Sequence, residues 1–406
     1  MISVETALET VLAHAQPRGS EEVSLADALG RYLVEDVAAD LDIPPFDRAM
    51  MDGYAVRAAD TARAPAVLRV VGQVRAGQLP ATALAAGEAI QIMTGAPVPA
   101  GADAVQQVER TRALGDGRVE VGEAVEPAQN IAPRGSEVRA GTVVLEGGRR
   151  IDAAAIAVLA TAGRDRVRVG RRPRVAFLVT GDELVDASQR PTGGQIRNAN
   201  GPAVLAQIRA AGALAEPLGV APDDTEKIAA SVARGLGADV LVLSGGVSAG
   251  TFDLVEAALA RFDVEIFFER VAIKPGAPLV FGQRQSTLVF GLPGNPVSAM
   301  VTFDVFVRAA LERLQGGSGA PRPLVEIVLE GAARNRSRRK AYLPAVVRPS
   351  GARLVAMPLR SAGSADVFAH ARANALVVLE AERIEARAGE SAPALLLHRF
   401  VEGGDA

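Results

Sequence analysis

The chain has 406 residues, enough for two to four domains, because a single hydrophobic core seldom grows past about 250 residues. Hydrophobic residues make up 49%, so several cores can be filled, while a net charge of −3 argues against general nucleic-acid binding, which needs clustered surplus cations. The absence of cysteine excludes disulfides, thiolate metal sites and cysteine nucleophiles, and His14, His370 and His398 have no metal-pair spacing, so any metal must be held by oxygen ligands.

In chain order, residues 3–15 predict an amphipathic helix with Ser3 as its N-cap and Val4, Leu8, Val11 and Leu12 on one face. MISVETALETVLAHA has no basic flank before an apolar core, so it does not read as a signal peptide. A short helix at 24–29 should stop at Gly30. Between Leu41 and Leu145, short β-rich runs (Val67–Val71, Ala89–Met93, Ala104–Glu109, Arg118–Val121, Thr142–Leu145) alternate with Pro/Gly turns and predict an all-β module. Residues 152–163 return to a helical pattern. The small-apolar run Ala153–Gly163 is too short to span a bilayer, and a soluble, cytoplasmic protein with no membrane partner is expected.

After Arg171-Arg172-Pro173 the pattern becomes strand and helix in alternation: strand Val175–Val179, helix 199–211, strand 214–220, helix 223–236, strand Ala238–Leu243, helix Phe252–Phe262, strand Leu288–Phe290 and a helix from Pro296 to about Leu314. Continuous apolar strands separated by helices predict a parallel α/β sheet with right-handed crossovers. Gln315–Pro323 reads as a linker, and β-like runs at Leu324–Leu329, Ala375–Glu380 and Ala394–Leu397 predict a small C-terminal β-domain.

Ligands of open α/β sheets bind outside the carboxyl ends of the strands. Three loops should meet there: Thr180-Gly181-Asp182-Glu183, Ser244-Gly245-Gly246-Val247-Ser248-Ala249-Gly250 with Asp253 beyond it, and Gly291-Leu292-Pro293-Gly294-Asn295-Pro296. Consecutive glycines let backbone N–H groups approach an anion, and a following helix N-terminus adds partial positive charge. Each loop taken alone is equally compatible with a plain tight turn or, at Pro296, with helix entry. Glu183, Asp223, Asp224 and Asp253 sit where oxygen ligands for Mg²⁺ would be wanted, although Asp223, Asp224 and Asp253 also suit helix capping. Lys274, before a Pro-Gly turn, could neutralise phosphate or oxyanion charge. In the N-terminal half, Asp52 precedes Gly53-Tyr54 within an apolar stretch, and a simple Asp-Gly turn is the plain alternative.

Seven segments together resemble the molybdopterin molybdenumtransferase family, which also includes the gephyrin E domain: PPFDRAMMDGYAV (44–56), IMTGAPVP (92–99), NIAPRGSEV (130–138), TGDEL (180–184), LSGGVSAGTFD (243–253), AIKPG (272–276) and GLPGNPVSA (291–299). The resemblance covers nearly the whole chain and implies four domains: a discontinuous elongated one (1–20 with 138–170), a β-domain (21–137), an α/β molybdopterin-binding domain (171–316) and a C-terminal β-barrel (317–406). It also implies a homodimer whose cleft joins the α/β domain of one subunit to the β-domain of the other. The implied activity is insertion of molybdate into adenylylated molybdopterin, with AMP released. Carried onto matching positions, the family assigns substrate binding to Thr180, Gly181, Ser244, Gly245, Gly246, Val247, Ser248, Pro293, Gly294, Asn295 and Pro296. Mg²⁺ would be organised by Glu183, Asp224 and Asp253, and catalysis would fall to Asp52, Glu183, Asp253 and Lys274.

The chain departs from the family pattern at Ala277, where a second lysine is usual, and at Leu254, where tyrosine is expected. Ser136-Glu137 replaces an acidic pair, and Gln195–Asn200 loses an aspartate. A non-catalytic binding or scaffold protein on the same fold is therefore carried as the alternative, and a general nucleotide pyrophosphatase as a third. The basic cluster Arg334, Arg336, Arg338, Arg339 and Lys340 could contact the substrate's phosphates from the C-terminal domain, but the preferred reading is a solvated turn between strands, so neutralising two of these arginines should leave nucleotide affinity nearly unchanged.

Overall fold

The computed structural model describes residues 1–245 and 252–397. The chain divides into two compact units, one of Met1–Val34, Gly148–Ile151 and Val167–Ala406, the other of Glu35–Gly147 and Asp152–Arg166.

In the first unit, six strands form one sheet: Arg174–Thr180 (β1), Leu214–Ala221 (β2), Val240–Ser244 (β3), Glu265–Arg270 (β4), Pro278–Arg284 (β5) and Thr287–Leu292 (β6), in the order β2-β1-β3-β6-β5-β4. The β2, β1, β3 and β6 neighbours are parallel, whereas β5 runs antiparallel to both β6 and β4. The sheet is thus mixed. Two strands absent from the sequence-based prediction, β4 and β5, form its far edge, because the EIFFER and PLVFGQR runs lie between turns too close for a crossover helix.

Strand β1 is buried from Val175 to Thr180, and its residues alternate between two cores. Val175, Phe177 and Val179 pack with Val204 and Ile208 of helix Asn200–Ala210 and with the Val4–His14 helix; Ala176 and Leu178 pack with Ile228 and Val232 of helix Thr225–Gly235. Covering both faces explains why these strands read as unbroken apolar runs. The predicted helix from Pro296 is continuous to Leu314 but contains a π-helical turn at Phe303–Val307.

The C-terminal β-domain is a closed barrel. Lys340–Ser350, Arg353–Pro358, Leu324–Leu329, Ser391–Leu396 and Ala375–Leu379 pair in sequence, and the last returns to the first. The two-residue strand Ile273–Lys274 joins this barrel in parallel with Lys340-Ala341. The lysine-bearing segment of the α/β domain is therefore hydrogen-bonded to the C-terminal domain.

The second unit is built on another six-stranded sheet, ordered Ala104–Gln107, Gly53–Val56, Glu88–Ile92, Ala66–Val74, Arg118–Val121, Thr111–Ala113. Alternating residues fill a core on each side, with Val56, Leu68 and Val119 on one and Ala55, Ile90 and Val105 on the other. Gly53–Val56, read in the sequence only as a patch, is a wholly buried strand of this sheet.

Candidate functional site

Register fixes the site. Val179 pairs with Ser244, and Ser244 pairs with Leu292, so the three predicted loops leave adjacent strand ends at the same level. The carboxyl edge predicted for the ligand is one continuous row.

The turns at that edge depend on glycine. Gly245 has φ +98, and a Cβ there would run into the carbonyl oxygen of Thr180. Gly181 has φ +146, and a Cβ would lie 2.6 Å from Glu183 Oε2, so the missing side chain is what lets the Glu183 carboxylate fold over the loop.

Ser244 is fully buried, and its hydroxyl turns inward. Asn200 Nδ2 donates to Ser244 Oγ and to the carbonyl oxygen of Gly294, both at 2.8 Å. Thr180 Oγ1, Asn200 Oδ1 and Asp223 Oδ1 are buried without a hydrogen-bond partner among the described residues. Gly246, Val247 and Ser248 lie outside the described residues. Asp253 is placed in the first turn of helix Phe252–Ala260, with no side-chain description.

The adjacent acids part company. Asp224 caps helix Thr225–Gly235, its Oδ1 accepting from Lys227 N–H at 2.9 Å. Asp223 instead faces Asp182 and Glu183; burial first, then the repulsion of those two carboxylates, pushes its carboxyl above the ordinary range. Asp182 Oδ1 accepts from the Asp223 N–H at 3.1 Å. No ready-made cage of three or more ligands exists among the described residues. Mg²⁺ does not require one, since it is usually held by one or two carboxylates, waters and substrate phosphates. Closely set acids with an unpaired buried oxygen fit that ion.

Beside this edge lies a cleft of about 1030 Å³, lined by Thr180, Glu183, Asn200, Gly245, Lys274 and the Pro293–Ser298 segment, and on the barrel side by Arg334 and Arg339. The basic cluster is thus not simply a solvated turn: the strand pairing of Lys274 with the barrel brings two of its arginines to the ligand cleft, while Arg336 and Arg338 do not line it. Ala277 also lines the cleft beside Lys274 and adds no second cation there. Leu254 packs against the core behind β3.

In the second unit, Asp52 is exposed, and its Oδ1 accepts from Thr94 N–H at 2.6 Å and from Thr94 Oγ1 at 2.8 Å. Those two bonds hold its carboxyl below the usual range. The TGAP turn at 94–97, silent in the sequence, is Asp52's support. Gly53 is required next to it because a Cβ would collide with the backbone of Gln106.

Fold and cleft are those of an α/β protein with a row of glycine turns and a cleft at the carboxyl edge of its sheet, walled on the barrel side by Arg334 and Arg339. Family models match in three blocks: the MoeA N-terminal region (domain I and II) over residues 2–163, a probable molybdopterin binding domain over 176–313 and the MoeA C-terminal region (domain IV) over 327–397. The molybdopterin molybdenumtransferase of Bacillus subtilis is 34% identical over 98% of this chain and 94% of its own length; that of Haemophilus influenzae is 33% identical over 96% and 97%. A solved molybdopterin biosynthesis MoeA protein from Pyrococcus horikoshii superposes with a TM-score of 0.84 at 28% identity, covering 98% of this chain and 100% of that one. The chain belongs to the molybdopterin molybdenumtransferase family.

Proposed function

We propose that this protein inserts molybdenum from molybdate into adenylylated molybdopterin, releasing AMP, as a step of molybdenum cofactor biosynthesis. The observation carrying this reading is the single cleft in which Lys274, Arg334 and Arg339 share the walls with Glu183 and the row of glycine turns. Its volume of about 1030 Å³ is at the top of the range for small-molecule sites, about 300–1,000 Å³, and suits a pterin nucleotide. Full-length likeness to proteins named as transferases disfavours the binding-only alternative.

Thr180, Gly181, Gly245, the 246–248 segment and the Pro293–Pro296 turn would hold the pterin and its pyrophosphate. Ser244 and Asn200 would shape the pocket from behind. Glu183, Asp253 and the free oxygen of Asp224 would hold Mg²⁺, with Asp223 beside them. A bound Mg²⁺ would supply neutralising charge at the pyrophosphate oxygens. Lys274 would stabilise the negative charge of molybdate and of the departing phosphate. The chain would act as a homodimer, Asp52 of a second copy completing the cleft as an acid kept anionic by Thr94. The four-domain division, a cytoplasmic setting and the absence of a nucleic-acid partner belong to the same reading, and no helix among the described residues is long and apolar enough to cross a membrane.

The test is purified protein with adenylylated molybdopterin, molybdate and Mg²⁺, run beside gel filtration. Molybdate-dependent AMP release by a dimer is expected. Nucleotide binding without release would return the scaffold reading, and release indifferent to molybdate would indicate a pyrophosphatase.

A further inference from the structure

Asn200 opens helix Asn200–Ala210, yet it does not cap it: the capping side chain is Asn198, whose Oδ1 accepts from Gly201 N–H at 2.8 Å. The Asn200 carboxamide is left for another task. Both Nδ2 hydrogens reach across the sheet edge, one to the end of β3 at Ser244 Oγ and one to the Gly294 carbonyl oxygen in the turn after β6. Ser244 Oγ also lies 3.4 Å from the Pro293 carbonyl oxygen. Asn200 is 7% exposed and Ser244 0%, so the bond to Ser244 is shielded from water, while the bond to Gly294 lies at the cleft wall. The only other side-chain tie of that turn among the described residues is the exposed bond from Asn295 Nδ2 to Ser364 Oγ, 2.7 Å. Among the described residues Asn200 Oδ1 has no partner, so what the carboxamide supplies there is two N–H donors, one aimed at the end of β3 and one at the turn after β6.

We propose that Asn200 is a positioning residue: its carboxamide fixes the spacing between the end of β3 at Ser244 and the Pro293–Pro296 turn, and so presets the pocket for the pterin nucleotide. This rests on the reading of the cleft given above. Substrate held between two loops gains affinity when their spacing is set beforehand, because ordering them is not left to the binding step. Asn200→Asp keeps size but offers the Gly294 carbonyl an acceptor in place of a donor, and Asn200→Ser is too short for either bond. Ser244→Ala removes the Asn200–Ser244 bond and the long Ser244–Pro293 bond, and leaves the Gly294 bond.

The experiment measures three quantities on the full-length protein: thermal midpoint, hydrogen exchange at Gly294 and Asn295, and the Kd of adenylylated molybdopterin. For Asn200→Asp and Asn200→Ser we expect faster exchange in the turn and a Kd at least tenfold weaker, a loss larger than the fall in midpoint accounts for; that fall should be greater for Asp, which buries a carboxylate. Ser244→Ala should fall between parent and these variants. Unchanged exchange would overturn the clamp. Faster exchange with unchanged Kd would overturn its part in binding, as would a loss of affinity that simply tracks the midpoint. Should Asn200→Asp not fold, Asn200→Ser and Ser244→Ala carry the same readouts. A parent protein that binds the nucleotide without turning it over would defeat the transferase reading and leave the clamp standing.

Discussion

The sheet of β1–β6 and the sheet between Gly53 and Val121 treat their polar groups in opposite ways. In the second, acids and hydroxyls settle on nearby backbone: Asp52 on Thr94, Asp103 on Ala58 N–H at 2.6 Å, and Thr61 Oγ1 on Val125 N–H at 3.1 Å. In the first, three buried oxygens, those of Thr180, Asn200 and Asp223, stand at one edge without partners among the described residues. An unpaired buried acceptor costs about 1–3 kcal/mol. Three at a single edge fit the ligand site proposed above, whereas the other sheet satisfies its own polar groups, Asp52 among them.

Removing the principal charge at the ligand edge should produce the largest effect. Lys274→Met should lower molybdate-dependent AMP release by roughly 10²–10³-fold, the usual loss when one preorganised oxyanion donor is deleted. With Ala277 in place of the family's second lysine, no neighbouring lysine of that turn compensates. The thermal midpoint should stay near the parent's, because the half-buried Lys274 is held by backbone pairing to the barrel and not by its ammonium. A loss under threefold in single-turnover assays would remove Lys274 from the chemistry.

A smaller and more discriminating effect divides the basic cluster. Replacing Arg334 and Arg339 together by alanine should weaken nucleotide binding by about tenfold, the scale of one to two moderate charge contacts. Replacing Arg336 and Arg338 should leave the Kd unchanged, since neither lines the cleft. Isothermal titration of the two double variants decides it, and equal losses in both would show a diffuse field effect in place of contact. Arg334 is partly engaged already, its Nε lying 2.7 Å from Glu385 Oε1, so most of the loss should come from Arg339.

Much of this was readable from the residues. Apolar runs placed β1, β3 and β6, and glycine-bearing loops placed the ligand edge, because burial on both faces and positive φ leave direct marks in composition. Roles set by pairing across the chain left none. Nothing in Ile273-Lys274 announces a strand that joins residues 340–341, so the sequence could raise a contact of the basic cluster with the ligand but could not say that Arg334 and Arg339 are the members that reach the cleft. Asn198 and Asn200 look interchangeable, yet one caps a helix and the other ties the end of β3 to the turn after β6. Asp223 and Asp224 are likewise adjacent and alike; only the helix start decides which becomes the cap and which faces the acids.

That last pair yields the finest test of the contrast between the sheets. Burial, Asp182 and Glu183 raise the Asp223 carboxyl above its ordinary value, so the folded state holds its proton more tightly than the unfolded chain does. Its contribution to stability is therefore full below the ordinary carboxylate range, near pH 4, and is lost as pH rises through the folded value. Asp52 has the reverse sign: Thr94 holds its carboxyl low, so its contribution is present above that range and lost as pH falls through the folded value. Asp223→Asn should accordingly raise the thermal midpoint at pH 7 by roughly 1–3 °C and change it little at pH 4. Mg²⁺ should raise the parent's midpoint at pH 7 more than the variant's, since a cation relieves the same repulsion that the substitution removes. Asp52→Asn should give no such gain at pH 7. If Asp223→Asn lowers the midpoint at neutral pH, the carboxylates at the ligand edge are satisfied in the free protein, and the difference drawn between the two sheets fails at its most charged point.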